Sequence, residues 1–230
     1  MNRRHLLQQM AFLGVVALLL IGCAGAQVEP TAPPSPIPPT ATPTPARVTP
    51  TSIPPTPTPM ERLDGKRALF VIYDRFEEDE YGIPRAILED LGVVVIVASL
   101  SSDVVKGYDG SIEVQPDVLL GDARGGDYDA IVFVGGMGYE VDDPEAQRIA
   151  REAVAAGKVV AAICIAPITL ARAGEVEGKR MTVAMFPHEL EKAGAIYTGA
   201  GFEHDGLIIT ANSPGGSRRV GEAIATVLGE

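Results

Sequence analysis

Apolar residues in this chain fall into short unbroken runs separated by stretches in which they recur every three or four positions. The runs Arg67–Tyr73, Val93–Ala98, Ala130–Val134 and Val159–Ile163 lack the alternation of a strand with one wet face. They predict strands buried on both sides. Between and after them, Pro84–Leu91, Pro144–Ala156, Ile168–Ala173, Glu189–Ala193 and Ser217–Leu228 predict helices. Gly92 and Gly157 would stop the first two, and Asp143 would cap the start of the second. The segment Val104–Leu120, broken by Gly107, Asp109-Gly110 and Pro116, predicts a hairpin and a loop. Met181–Ala184 and Leu207–Thr210 predict two further short strands. Alternating strands and helices with continuous apolar strands predict an α/β domain, its mainly parallel sheet covered on both faces. The pattern occupies residues 61–230, the right size for one domain with a substantial core.

The first sixty residues follow different rules. Met10 to Ile21 is wholly apolar apart from Gly14, and follows Arg3 and Arg4. Twelve helical residues reach roughly 18 Å, short of the ~30 Å hydrocarbon core, which suits a signal-peptide core better than a spanning helix. The run ends in Leu20-Ile21-Gly22-Cys23, which resembles the bacterial lipobox. That resemblance implies removal of residues 1–22 and lipidation of Cys23, with membrane lipid as partner. Arg3-Arg4 before Leu6-Leu7 also resembles a twin-arginine export signal. The competing reading is an uncleaved anchor extended through Ala26. Either reading leaves the arginines inside and the bulk of the chain on the extracytoplasmic side of the cell membrane. Residues 23–60 then form a lipid-anchored spacer. Gln27 to Pro59 holds thirteen of the nineteen prolines and buries too little apolar surface to fold, so a semi-stiff linker is expected.

Composition removes some function classes. Beyond residue 22 the chain carries 17 basic against 30 acidic residues, a formal charge of −13, with no basic cluster, so nucleic acid is not an expected partner. No cysteine–histidine grouping has zinc spacing, and neither a metal nor a cofactor is expected.

Three places carry candidate chemistry. Cys164 sits between the strand run ending at Ile163 and the helical stretch beginning near Ile168, and is the only cysteine downstream of Cys23. A thiol at a strand–turn–helix junction feels the positive helix end, which favours thiolate and predicts a lowered pKa. The alternative is a small buried hydrophobe. Gly135-Gly136-Met137-Gly138 follows another core strand, where glycines let backbone N–H groups approach a developing oxyanion. The alternative is an ordinary tight turn. The acidic stretch Glu77-Glu78-Asp79-Glu80 reads mostly as a solvated face, but one carboxyl near a thiol would tune its ionisation.

These residues together resemble the ThiJ/PfpI family. The resemblance runs over nearly all of residues 66–229. It rests on Lys66-Arg67-Ala68-Leu69, on Phe76 to Glu80 with Pro84, and on Tyr128-Asp129-Ala130 through Gly135-Gly136. Ala161 to Cys164 with Pro167, and Asp205 to Thr210 with Pro214, complete it. It implies a flavodoxin-like three-layer sandwich with a cysteine nucleophile elbow. It implies Cys164 as nucleophile, Glu80 as its acidic partner, and Gly135, Gly136 and the N–H of Ile165 as oxyanion donors. Relatives of this kind commonly form homodimers.

The departures matter. Where protease-like members place a histidine after the cysteine, this chain has Ile165, which moves no protons. His188 and Glu140 are the remaining candidates for an acid/base, and His204 reads as a solvated turn residue. The expected activity is glyoxalase- or deglycase-type chemistry on a small reactive carbonyl. The alternatives are a thiol redox sensor or holdase that meets an oxidant without turnover, a PfpI-type cysteine peptidase, and a binding module whose crevice no longer turns over.

Overall fold

The continuous apolar runs become the centre of a parallel sheet because both of their faces are covered. A computed structural model describes residues 61–230; the expected signal segment, Cys23 and the linker lie outside the described residues. In chain order the elements are β1 (Arg67–Val71), α1 (Glu78–Asp90), β2 (Val94–Ser99), β3 (Val105–Lys106), β4 (Glu113–Val114), β5 (Val118–Leu119) and β6 (Ala130–Phe133). There follow α2 (Pro144–Ala155), β7 (Val159–Ile163), α3 (Pro167–Ala173), β8 (Arg180–Met181) and α4 (Pro187–Lys192). The last are β9 (Ile196–Tyr197), β10 (Phe202–Asp205), β11 (Ile208–Ala211) and α5 (Ser217–Gly229).

Seven strands form one sheet in the order β10-β11-β7-β6-β1-β2-β5. Every neighbouring pair is parallel except β10 with β11. Side chains alternate across each strand into two apolar clusters, one on each face. One gathers Leu69, Ile131, Phe133, Val160 and Ala162 against α2 and α3 residues such as Ile149 and Leu170. The other gathers Phe70, Val132, Ala161 and Ile209 against Leu88 of α1 and Val220 and Ile224 of α5. This is the α/β flavodoxin-like layering expected from the sequence.

Some boundaries differ from expectation, for local reasons. The helix expected to start at Pro84 starts at Glu78. Glu77 caps it, its carboxyl accepting from the Glu80 N–H at 2.9 Å, and three acids in the first turn complement the helix dipole. Pro84 therefore lies inside α1, where it withholds the N–H that the Glu80 carbonyl would normally receive. The acidic stretch read as a solvated face is thus a helical turn, and one side of it is core. The strand expected at Met181–Ala184 shortens to Arg180–Met181, because the Thr182 N–H turns to the Thr210 hydroxyl at 3.0 Å. His204, read as a turn residue, lies instead in the antiparallel edge strand β10, Phe202–Asp205.

Candidate active site

The adjacent strands β7, β6 and β1 end side by side and deliver the three segments that build the site. β7 delivers Cys164, β6 delivers Gly135 and Gly136, and the loop after β1 leads into the acidic first turn of α1. This is the carboxyl edge of the parallel strands, where open α/β sheets place their crevice.

Cys164 adopts φ +61°, a left-handed conformation that a non-glycine residue holds only when its surroundings insist on it. Both sides of the turn are tied down. The Cys164 N–H donates to the Ala211 carbonyl at 2.9 Å, and its own carbonyl accepts from Ala184 at 2.8 Å. The side chain is half-buried, and the backbone N–H groups of Ile165 and Gly136 face the sulfur.

Glu80 lies beside it, wholly buried. Its Oε2 accepts from the Gly135 N–H at 2.9 Å, while Oε1 has no hydrogen-bond partner among the described residues. Gly135 allows this contact: a Cβ there would sit 2.6 Å from the Cys164 Cβ and 2.7 Å from Glu80 Oε2. The thiol-bearing carbon and the carboxyl thus flank the same point. Gly136, at φ +137°, bridges to Phe76, and a Cβ there would fall 2.5 Å from the Arg75 carbonyl oxygen. Neither position admits a side chain.

Burial pushes the Glu80 carboxyl up to about 8, with the charge of Glu77 adding to the effect; the Gly135 N–H and Cys164 oppose it. Burial also pushes the Cys164 thiol up, to about 11, and the neighbouring Glu80 and Glu77 carboxyls reinforce this against the Ile165 and Gly136 N–H groups. The lowered thiol pKa expected from the sequence is therefore corrected. α3 is a short helix that begins three residues after the cysteine, and its field is weaker than the desolvation and the adjacent acids.

The sulfur opens into a cavity of about 470 Å³ lined by Glu77, Tyr108, Gly136, Met137, Tyr139, Cys164, Ile165 and Met185. A second cavity of similar size, about 490 Å³ between α1, the β3–β4 hairpin and α5, does not include the thiol. Among the described residues the smaller one is where a thiol, N–H donors and a carboxyl meet.

The other candidates are placed as follows. Gly135 spends its N–H on Glu80, which leaves Gly136 and Ile165 as the N–H donors at the sulfur. His188 lies outside the cavity lining, its side chain 66% exposed on α4 and 3.4 Å from the Glu189 carboxyl. Glu140 is exposed and also outside the lining. Neither acid/base candidate is brought to the sulfur. His204 is exposed on β10, its Nε2 2.8 Å from the Gly206 carbonyl oxygen. Glu77 is the residue that sequence reasoning missed, having been set aside with the solvated acids. A signal was present: an acceptor three residues before another carboxylate at a helix start has the spacing of a capping box.

Comparisons with known proteins agree with this fold. An uncharacterized protein of Methanocaldococcus jannaschii is 37% identical over 168 residues, 70% of this chain and 82% of its own. A deglycase of Pyrococcus abyssi is 31% identical, over 65% of this chain and 91% of its own. The crystal structure of Drosophila melanogaster DJ-1beta matches with a TM-score of 0.63 at 28% identity, over 71% of this chain and 90% of that one. The model of the DJ-1/PfpI family matches residues 66–226, and the chain belongs to that family.

Proposed function

We propose that this domain uses Cys164 to capture small 2-oxoaldehydes such as methylglyoxal and convert them to hydroxy acids, the glyoxalase or deglycase type of chemistry. One observation carries the proposal: a wholly buried carboxyl oxygen, Glu80 Oε1, without a hydrogen-bond partner among the described residues, in a carboxyl packed against a half-exposed thiol. At pH 7 a carboxyl raised to about 8 is protonated in most molecules, and its ionised minority is the base. As the substrate arrives, Glu80 takes the Sγ proton and sulfur bonds to the aldehyde carbon. The carbonyl π pair moves onto oxygen, within reach of the Gly136 and Ile165 N–H groups. Return of the proton to that oxygen, relayed by a water molecule in the cavity, completes a hemithioacetal and leaves Glu80 ionised again. Relatives named as deglycases in two Pyrococcus species support the substrate class.

The PfpI-type peptidase reading lacks an imidazole at the cavity. Among the described residues the cavity lining also contains no cationic side chain. Uncharged oxoaldehydes should therefore react well, and glyoxylate, which carries a carboxylate, poorly. Proton NMR of the full chain with methylglyoxal should show lactate accumulating over many turnovers. Absence of lactate, with substrate unchanged, would sink the proposal.

The lipid anchor at Cys23 and the extracytoplasmic location are likewise proposed, from the apolar run and the lipobox-like tetrapeptide. Metabolic labelling with a radioactive fatty acid should mark the wild type and not Cys23→Ala. Equal labelling of both would contradict the anchor.

A further inference from the structure

Turning a hemithioacetal into a hydroxy acid requires a second proton transfer, at carbon, and this inference rests on the proposed reaction. The C–H proton of the captured aldehyde must leave and a proton must arrive at the neighbouring carbon. Glu80 is poorly placed for this. It is wholly buried beside the thiol and absent from the cavity lining, with Oε2 held by Gly135. His188 and Glu140 lie outside the cavity lining.

We infer that Glu77 is the residue that moves the carbon-bound proton. Among the described residues it is the only carboxylate lining the cavity, and it shares that wall with Cys164. The other lining groups are unsuited. Met137, Met185 and Ile165 carry no exchangeable side-chain proton. The Tyr139 hydroxyl is engaged with the Thr169 hydroxyl at 2.9 Å, and burial raises its pKa further. Tyr108 is more than half exposed at the mouth, with the Arg75 guanidinium 5.5 Å from its ring centroid. Glu77 is half-buried and fixed at the wall by its cap bond to the Glu80 N–H and by its own N–H, which donates to the Gly135 carbonyl at 3.0 Å. Its proximity to the reacting pair shows in its charge, which raises the pKa of both Glu80 and Cys164.

The step balances without an oxidant. The Glu77 carboxylate takes the C–H proton, and the electron pair forms the carbon–carbon double bond of an enediol as the ketone oxygen gains a proton from solvent water. The protonated Glu77 then returns its proton to the neighbouring carbon while the hydroxyl on the sulfur-bearing carbon gives its proton back to water and becomes a carbonyl, leaving a thioester on Cys164. Water cleaves the thioester to the hydroxy acid and restores the thiol. The groups that set the ionisation of Glu77 are Glu78, Asp79 and the Glu80 N–H of α1, and burial places it above the usual carboxylate range. It is therefore a stronger base than an exposed glutamate, and is ionised once the pH passes that raised value.

Glu77→Gln in the full chain tests this, because glutamine keeps an oxygen to cap α1. Steady-state conversion of methylglyoxal to lactate should fall about a hundredfold or more. Capture of the thiol, read as protection of Cys164 from iodoacetamide by methylglyoxal, should stay within about threefold. Glu77→Asp should recover part of the turnover, and the acid limb of the glutamine variant's kcat–pH profile should lose the inflection of Glu77 while keeping the one near 8 that belongs to Glu80. If Glu77→Gln turns over at the wild-type rate, the inference is wrong while the thiol chemistry stands. A fall in capture in step with turnover makes Glu77 a structural cap and also overturns it. A wild type that forms no lactate overturns both.

Discussion

Replacing Cys164 with serine is expected to lower conversion of methylglyoxal to lactate by at least about a thousandfold, without loss of the fold. Serine is nearly isosteric, and the half-buried site leaves room for it. The backbone bonds to Ala211 and Ala184 that hold the turn do not involve the side chain. What changes is the acid. Glu80, poised near 8, is matched to remove a proton from a thiol but is far too weak a base for a serine hydroxyl. Unchanged circular dichroism and a melting temperature close to the wild type would locate the loss in the chemistry. Residual turnover within tenfold of the wild type would place the reaction elsewhere.

The largest expected effect on stability comes from Glu80→Gln, and it depends on pH. The unfolded carboxyl titrates near its ordinary value of 4.5, and the folded one near 8. Between those values the folded chain holds a proton that the unfolded chain has released, so stability falls as pH rises. The contribution is complete below about 4.5 and gone once pH passes 8. The size implied is on the order of a few kcal/mol, or roughly 10 °C in melting temperature for a domain of this length. Melting curves from pH 5 to pH 8.5 should show that decline in the wild type and a much flatter line in Glu80→Gln, whose amide keeps an acceptor for the Gly135 N–H. Parallel curves would mean that Glu80 folds already ionised.

The sheet was legible because its strands are buried on both faces, and such runs as Ala130–Val134 and Val159–Ile163 announce themselves without alternation. The turn at Cys164 was legible for the same reason, as the point where an apolar run meets a proline-started helix. Less legible was anything decided by one hydrogen bond. Pro84 reads as a helix start, and the Glu77 cap moved that start to Glu78. The same shift turned a charged stretch into a helical turn with Glu80 in the core and Glu77 on the cavity wall, a division that composition cannot express. Gly135 and Gly136 were both read as oxyanion donors. Which N–H remains at the sulfur depends on where Glu80 Oε2 lands. The expected thiol pKa failed because position at a helix end is visible in sequence, whereas the desolvation that outweighs it is not.

The central claim is that Cys164 and Glu80 exchange protons as one unit. The rate of Cys164 alkylation by iodoacetamide, followed by intact mass from pH 6 to pH 11, measures this directly. In the wild type the rate should rise in two steps, the first near 8 as the pair loses its first proton and the second toward 11. Glu80→Gln should lose the lower step. A single step at the same pH in both proteins would contradict the account.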